Sequence, residues 1–140
     1  MFRKSILTLA ALAFTSALAV ADVNPEGIWK LDSGAVTVKV VRCGKNICAN
    51  IVDLASKNYP DGTPLRDALN PNKSLRNRFV MGLPVISGMI QTGENTYKGY
   101  IYNADDGGSY RATAKLTDTN MLLKGCWLVF CRDSNFVRVK

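Results

Sequence analysis

The sequence contains no histidine. That absence removes the commonest general base and, with it, the Ser-His and Cys-His pairs of most nucleophilic enzymes. The catalytic arrangement that remains is a carboxylate pair such as Asp61 with Asp67, and both residues lie among turn-forming residues. We therefore expect a protein that is not an enzyme, and nothing in the sequence indicates a cofactor.

Long apolar runs are scarce, and the one present lies near the N-terminus. Arg3 and Lys4 precede an apolar segment at 6–19, and Ala19-Val20-Ala21 is a small-x-small site, an arrangement typical of a secretory signal peptide. The segment is shorter than the roughly 20 apolar residues of a membrane-spanning helix. We expect residues 1–21 to be removed, leaving 22–140 as one periplasmic or secreted domain that is not transmembrane.

Acidic residues are outnumbered, since 18 Lys and Arg face 11 Asp and Glu, for a net charge of +7. In an exported protein this balance favours an anionic envelope surface or an acidic protein as partner, and no nucleic acid. No segment concentrates the charge, so the simplest interpretation is a solvated basic surface.

Cysteine is limited to four residues in two pairs of identical spacing, Cys43 and Cys48 in CGKNIC, and Cys126 and Cys131 in CWLVFC. Zinc sites usually have closer pairs or histidine ligands, and redox pairs are usually C-x-x-C. Export implies an oxidising compartment, where the thiols of small domains pair. We therefore predict two disulfides and no metal.

Period-two alternation of apolar and polar residues between turns is abundant. For example, Ala112, Ala114 and Leu116 are predicted to face inward, and Arg111 and Lys115 outward. The predicted strands are 27–31, 35–42, 47–53, 83–91, 96–103, 110–116, 121–127 and 133–139. This pattern indicates an all-β fold, an antiparallel meander barrel of about eight strands.

The strand order also predicts the disulfide connectivity. In a meander barrel, the turn between strands two and three and the turn between strands seven and eight lie at opposite ends. Cys43 should therefore pair with Cys48, and Cys126 with Cys131, because facing residues of a hairpin lie within disulfide range.

One long segment, 55–79, has little alternation and is predicted to be a loop, with a helical turn around 65–69. Loops of this length in compact domains are often functional. Arg76 and Arg78 are candidate binding residues there, as a paired clamp for an anion. The alternative is that they bind carbonyl groups or acids such as Asp67 and fix the loop to the barrel.

The loop of the second cysteine motif is apolar throughout, from Trp127 to Phe130. Either it folds inward and caps the barrel end, or it is an exposed finger that contacts a membrane, a partner or a ligand. Trp127 and Phe130 are therefore candidate binding residues as well.

Asp105 and Asp106 lie in a glycine-rich turn, where acidic residues can indicate calcium. A calcium loop needs about six or more oxygen ligands, usually with a glutamate at fixed spacing, and none follows. Turn formation is the better explanation.

Many short motifs together resemble a family of exported bacterial proteins known as domain of unknown function 2147. They are Gly27-Ile28-Trp29, Cys43 with Ile47-Cys48 and Ile51-Val52, Asp67, Asn70-Pro71-Asn72, Leu75-Arg76-Asn77-Arg78, Gly82-Leu83, Gly99-x-Ile101-Tyr102, Gly107, Tyr110, Lys124-Gly125-Cys126 and Cys131-Arg132-x-Ser134-x-Phe136-x-Arg138. The resemblance implies no established activity. The family often has aspartate where this chain has Asn72, which weakens a metal or acid–base role for the loop.

The chain is also similar to calycin barrels, which include the lipocalins. These begin with G-x-W in the first strand and carry an arginine in the last, which here are Gly27, Trp29 and Arg138. The resemblance implies that Arg138 packs on the Trp29 indole and closes one barrel end, a cation–π contact of about 1 kcal/mol.

Two functions remain after these exclusions. The first is a binding module that holds a small apolar or amphiphilic molecule, because the interior of an eight-stranded barrel can be filled by side chains or can hold one ligand. The second is an envelope interaction protein that contacts an anionic surface or an acidic protein through basic residues and the CWLVFC loop.

Overall fold

The computed structural model describes residues 10–18 and 21–140. Within them lie eight β-strands and one short 3-10 helix. The strands are β1 Gly27–Leu31, β2 Val36–Cys43, β3 Asn46–Leu54, β4 Pro84–Gly93, β5 Thr96–Asn103, β6 Gly108–Leu116, β7 Asn120–Trp127 and β8 Phe130–Arg138. The predicted all-β barrel is confirmed. The largest difference in strand bounds is at β8, which begins at Phe130 and not at 133.

The eight strands form a closed antiparallel barrel in sequence order. Each strand pairs with the next, and β8 returns to β1, with Trp29 opposite Arg138. Antiparallel neighbours need only short turns, and glycines permit them here. Gly34, Gly44 and Gly107 have φ angles of 79°, 68° and 71°, a region that other residues rarely adopt.

The barrel has two unlike ends. The sealed end carries the β2–β3, β4–β5 and β6–β7 turns, and the open end carries the β1–β2, β5–β6 and β7–β8 turns together with the long loop 55–83. The Cys43–Cys48 disulfide lies at the sealed end, and Cys126–Cys131 at the open end, with Cα atoms 5.8 and 4.1 Å apart. These are the two pairs that the strand order predicts.

Alternate residues of the strands point into the barrel. In β6, Ala112, Ala114 and Leu116 are buried while Arg111 and Lys115 are exposed, as the alternation predicts. Such a register is strongly specified, because a slip of one residue would turn every apolar side chain out to solvent.

The largest core side chains are concentrated toward the sealed end. Trp29, Ile47, Met89, Tyr97 and Met121 are all at most 1% exposed. Burial of each such aliphatic or aromatic side chain stabilises the fold by about 1.5–3 kcal/mol. The sealed half of the barrel is therefore a packed core.

The helical turn predicted around 65–69 is wrong. Residues 65–67 are extended and form an isolated antiparallel bridge, with the Asp67 N–H donating to the Arg78 carbonyl at 3.0 Å. A single turn follows, in which the Asn70 N–H donates to the Asp67 carbonyl at 3.1 Å. The 3-10 helix lies at Lys73–Leu75 instead, where the Asn72 side chain caps its first turn. Asparagine is a favoured N-cap because its oxygen satisfies an otherwise free backbone N–H.

The predicted signal peptide, 1–21, lies partly outside the described residues. Its described portion, 10–18, contains no helix or strand. In the part of the chain that the structure describes, no helix combines the length and the apolarity needed to cross a membrane.

Candidate functional site

A cavity of about 1070 Å³ occupies the open half of the barrel and extends beneath the long loop. Inward-facing apolar side chains of the strands form its walls, among them Val38, Ile51, Ile86, Leu123 and Phe136. Small residues help to leave this space open. In the β6–β7 pair, Ala112 lies opposite Gly125, which lines the cavity.

The loop that covers the cavity is fixed to the barrel wall by one buried carboxylate. Asp67 is 0% exposed. It accepts hydrogen bonds from the Tyr102 hydroxyl at 2.5 Å, from Asn70 Nδ2 at 2.8 Å and from Arg78 Nε at 2.9 Å. Because Tyr102 belongs to β5, the carboxylate joins the loop to the sheet.

These contacts shift the pKa values of both acidic partners. Burial alone would raise the pKa of Asp67, but hydrogen bonds from Tyr102, Asn70 and Arg78 hold that pKa below its ordinary value. Burial and the hydrogen bond to Asp67 raise the pKa of Tyr102 to about 12. At neutral pH the carboxylate is therefore ionised and the phenol is neutral, the combination that makes a charge-assisted bond.

Arg76 and Arg78 both bind groups of their own loop. Arg76 Nε donates to the Asn70 carbonyl at 2.7 Å, and Arg78 Nε donates to Asp67 Oδ2. Of the two interpretations that the sequence left open, these contacts are those of arginines that fix the loop.

The carboxylates considered as a catalytic pair lie in unlike surroundings. Asp61 is exposed and accepts hydrogen bonds from the Thr63 N–H and hydroxyl at 2.9 and 2.6 Å within its own turn. Asp67 is buried and holds three donors. Neither carboxylate is arranged as the free acid or base of such a pair.

The β5–β6 turn lies against the covering loop. Asp106 Oδ2 accepts a hydrogen bond from the Tyr110 hydroxyl at 2.5 Å, and the Asp105 N–H donates to Asn103 Oδ1 at 3.0 Å. A Cβ at Gly107 would collide with the Leu69 carbonyl, so only glycine allows this approach. The acids thus take part in turn formation.

The β7–β8 hairpin projects an apolar tip from the open end, defined here as Trp127 to Phe130. These four side chains are 62–86% exposed, so the tip does not fold inward. Trp127 and Phe130 also contribute to the cavity wall. The tip therefore adjoins the mouth of the cavity.

The sealed end is closed by Trp29 and Arg138. The Trp29 indole is 0% exposed, and the Arg138 guanidinium lies 4.1 Å from the centroid of its ring. The same guanidinium donates to the carbonyls of Asn24, Glu26 and Asp118 at 2.6–2.8 Å. One arginine thus ties together the N-terminal segment, the β6–β7 turn and the last strand.

Residues 27–138 match the model of a family described as "Uncharacterized protein conserved in bacteria (DUF2147)". The chain belongs to this family. The resemblance drawn from its short motifs is therefore confirmed.

The barrel of this DUF2147 protein is also similar to a solved structure, that of protein HP1028 from the human pathogen Helicobacter pylori, described as belonging to the lipocalin family. The two are 23% identical, with a TM-score of 0.71 over 84% of each chain. At this identity the likeness shows the fold alone, and it confirms the calycin-like barrel. No curated protein matches the chain in sequence.

Sequence reasoning did not single out five polar residues of the cavity wall as site residues, which are Ser56, Arg66, Asn103, Arg132 and Ser134. The predicted last strand of this DUF2147 chain began at 133, which left Arg132 outside the alternation. The predicted pairing of Cys126 with Cys131 was the signal that could have found it, because a disulfide across a hairpin implies strand on both sides.

Proposed function

We propose that this protein is a binding module that holds a small apolar or amphiphilic molecule inside the barrel. The observation that carries the proposal is the cavity of about 1070 Å³ with its mostly aliphatic and aromatic walls. Its size is comparable to the largest of the ligand pockets of about 300–1,000 Å³ found in proteins. The lipocalin-like fold and a family without assigned chemistry favour binding over catalysis.

The two disulfides are compatible with an oxidising compartment, which supports a periplasmic or secreted location after removal of residues 1–21. In that compartment a covered cavity would keep an apolar molecule out of water. The loop anchored by Asp67 is the element that would limit its escape.

The direct test is extraction of the purified, natively folded protein with organic solvent, followed by mass spectrometry. An amphiphile or hydrocarbon recovered in near-stoichiometric amount is the expected result. Protein delipidated in this way should then bind the neutral fluorescent probe N-phenyl-1-naphthylamine with saturation.

A matched pair of variants locates the binding. Ser134 lines the cavity, and Asn135 is the next residue of β8 and does not line it. Ser134→Phe should narrow the cavity and weaken probe binding, since the added ring occupies part of the volume beside the β8 wall. Asn135→Phe should leave probe affinity unchanged. Equal affinities in the two variants, or no probe binding by the delipidated protein, would contradict the proposal.

A second function, contact with an anionic envelope surface or an acidic protein, is favoured by the apolar tip. Four consecutive large apolar side chains exposed by 62–86% are unusual on a soluble monomer and commonly mark contact sites. Without Arg3 and Lys4 of the segment 1–21, 16 Lys and Arg face 11 Asp and Glu, and this net charge of +5 would add attraction to an anionic bilayer.

Vesicle flotation tests this second function. Binding to phosphatidylglycerol vesicles that weakens with salt, and that the double change Trp127→Ser and Phe130→Ser removes, would support it. The matched control is Ile90→Ser with Val139→Ser, since those side chains are 58% and 60% exposed away from the tip. Retained binding by the tip variant would rule out this role for the tip.

A further inference from the structure

We propose that the ligand carries an anionic headgroup, a carboxylate or a phosphate, that pairs with Arg132 at the mouth of the cavity. This inference rests on the proposed ligand-binding function and specifies the class of ligand. It follows from the position of Arg132, from the contacts of the neighbouring charged groups and from guanidinium chemistry.

The alternation of β8 places Arg132 in the cavity wall. Phe130, Arg132, Ser134 and Phe136 are successive alternate residues of this strand, and all four line the cavity. Polar groups thus lie between two aromatic ones along a single wall. Across the β7–β8 ladder, Arg132 lies opposite Gly125, which offers no side chain to cover the guanidinium.

Arg132 also differs from the other arginines around the open end. Arg78 is paired with Asp67. Arg66 also lines the cavity and has no carboxylate within 4.0 Å among the described residues, but it donates to the Asn77 carbonyl and lies over the Phe79 ring. In the part of the chain that the structure describes, no carboxylate lies within 4.0 Å of the Arg132 guanidinium. It is therefore a cation in the cavity wall whose charge is not neutralised by the protein.

The acids that line the same cavity do not supply that partner. Asp106 accepts hydrogen bonds from the Gly108 N–H at 2.7 Å and from the Tyr110 hydroxyl at 2.5 Å, so it is engaged within its own turn. Asp105 lies at the tip of this turn and forms no ion pair within the described residues. Its negative charge would repel an anionic headgroup, so removing that charge should tighten the binding of an anionic ligand.

Guanidinium groups suit such a headgroup for physical reasons. The planar fork of arginine matches the oxygens of a carboxylate or phosphate, and charge-assisted hydrogen bonds are about twice as strong as neutral ones. Arg132 is exposed at the mouth of the cavity, so the attraction is partly screened by solvent and should depend on salt. The apolar part of the same molecule would occupy the space between the aliphatic strands.

The experiment compares ligands that share one chain and differ in headgroup: dodecanoate, dodecyl phosphate and dodecanol. Each ligand is titrated as a competitor of N-phenyl-1-naphthylamine bound to the delipidated full-length protein at pH 8, and its affinity is taken from the loss of probe fluorescence. We expect at least one anion to bind about tenfold more tightly than the alcohol, the effect of one charge-assisted contact. The preference should fall as salt is raised, and the ratio of the two anions distinguishes a carboxylate from a phosphate headgroup.

Variants assign the preference to Arg132. Arg132→Gln should abolish it while leaving dodecanol affinity unchanged, and Arg132→Lys should retain part of it. Arg42→Gln, which removes the same charge from an exposed position at the sealed end, is the control and should behave as wild type. Asp105→Asn should tighten binding of the anions about twofold to threefold by removing an opposing charge.

The outcomes separate the two proposals. If the probe and dodecanol bind but no anion is preferred, or if Arg132→Gln keeps the preference, the headgroup inference is wrong and the binding function stands. If neither the probe nor any of the three ligands binds, both proposals are wrong.

Discussion

Replacing Asp67 with asparagine tests whether one buried carboxylate holds the covering loop to the barrel. The change keeps the side-chain shape but removes the charge, and it turns an amide N–H₂ either toward Tyr102 or toward Asn70 and Arg78. Breaking a buried ion pair costs about 3–5 kcal/mol. Because the Arg78 side chain is 32% exposed and can be rehydrated, we expect the free energy of unfolding to fall by about 3 kcal/mol.

Urea denaturation followed by tryptophan fluorescence measures this loss. With an m value of about 2 kcal/mol/M, the midpoint should fall by roughly 1–2 M. Limited proteolysis should show faster cleavage within the loop 55–83, because its anchor to β5 is lost. The control is Asp61→Asn, an exposed carboxylate of the same loop whose hydrogen bonds are confined to its own turn, and it should change little.

The pH dependence has a definite sign. The pKa of Asp67 is lowered in the folded state, so its contribution is present above the unfolded pKa of about 3.9 and is lost as pH falls through the folded pKa. The difference between wild type and Asp67→Asn should therefore shrink only below about pH 4. A midpoint for Asp67→Asn no lower than that of Asp61→Asn would refute this account of the anchor.

Three other substitutions probe the barrel itself. Arg138→Lys keeps the positive charge but loses the planar guanidinium that donates to three backbone carbonyls beside Trp29. Chemical denaturation should therefore show a free energy of unfolding that is lower by about 2 kcal/mol, and an unchanged value would mean that the charge alone is sufficient. Tyr97 is 1% exposed and its hydroxyl has no partner among the described residues, so Tyr97→Phe should be neutral or stabilising by up to about 1 kcal/mol, and a clear loss would reveal an unseen partner. The pKa of Tyr102 is raised to about 12 in the folded protein, so its contribution to stability is present below about pH 10 and is lost as pH rises through the folded pKa. The alkaline absorbance titration of Tyr102→Phe should therefore lack the latest tyrosine transition, and a curve identical to that of wild type would argue against the buried hydrogen bond.

The barrel could be predicted because its strands and turns are marked by patterns of neighbouring residues in the sequence. Alternation marks the strands, and the position of short turns leaves an antiparallel meander as the natural arrangement. The disulfide pairs then follow from counting strands. The closing contact between Trp29 and Arg138 needed the resemblance to calycins, since 108 residues lie between the two positions in the sequence and no local pattern connects them.

The covering loop was not predictable in the same way. The segment 65–69 has leucines at helical spacing, yet its conformation is set by the contacts of Asp67 with Arg78 and with Tyr102 of β5. Tertiary contacts of this kind override weak local propensity. The outward direction of the tip was also beyond the sequence, because an apolar turn can cap a barrel as readily as it can project from one.

The pairing of β8 with β1 has a consequence for how other molecules can approach the protein. An open sheet offers unpaired backbone groups to which a peptide or a second sheet can add as a further strand. Here the ladder returns to its first strand, so the described sheet presents no such template. Recognition by a partner must then rely on side chains or on the cavity, because the described sheet has no free edge. Edge-to-edge pairing of one sheet with the next, a common route to aggregation, is likewise closed to the folded barrel.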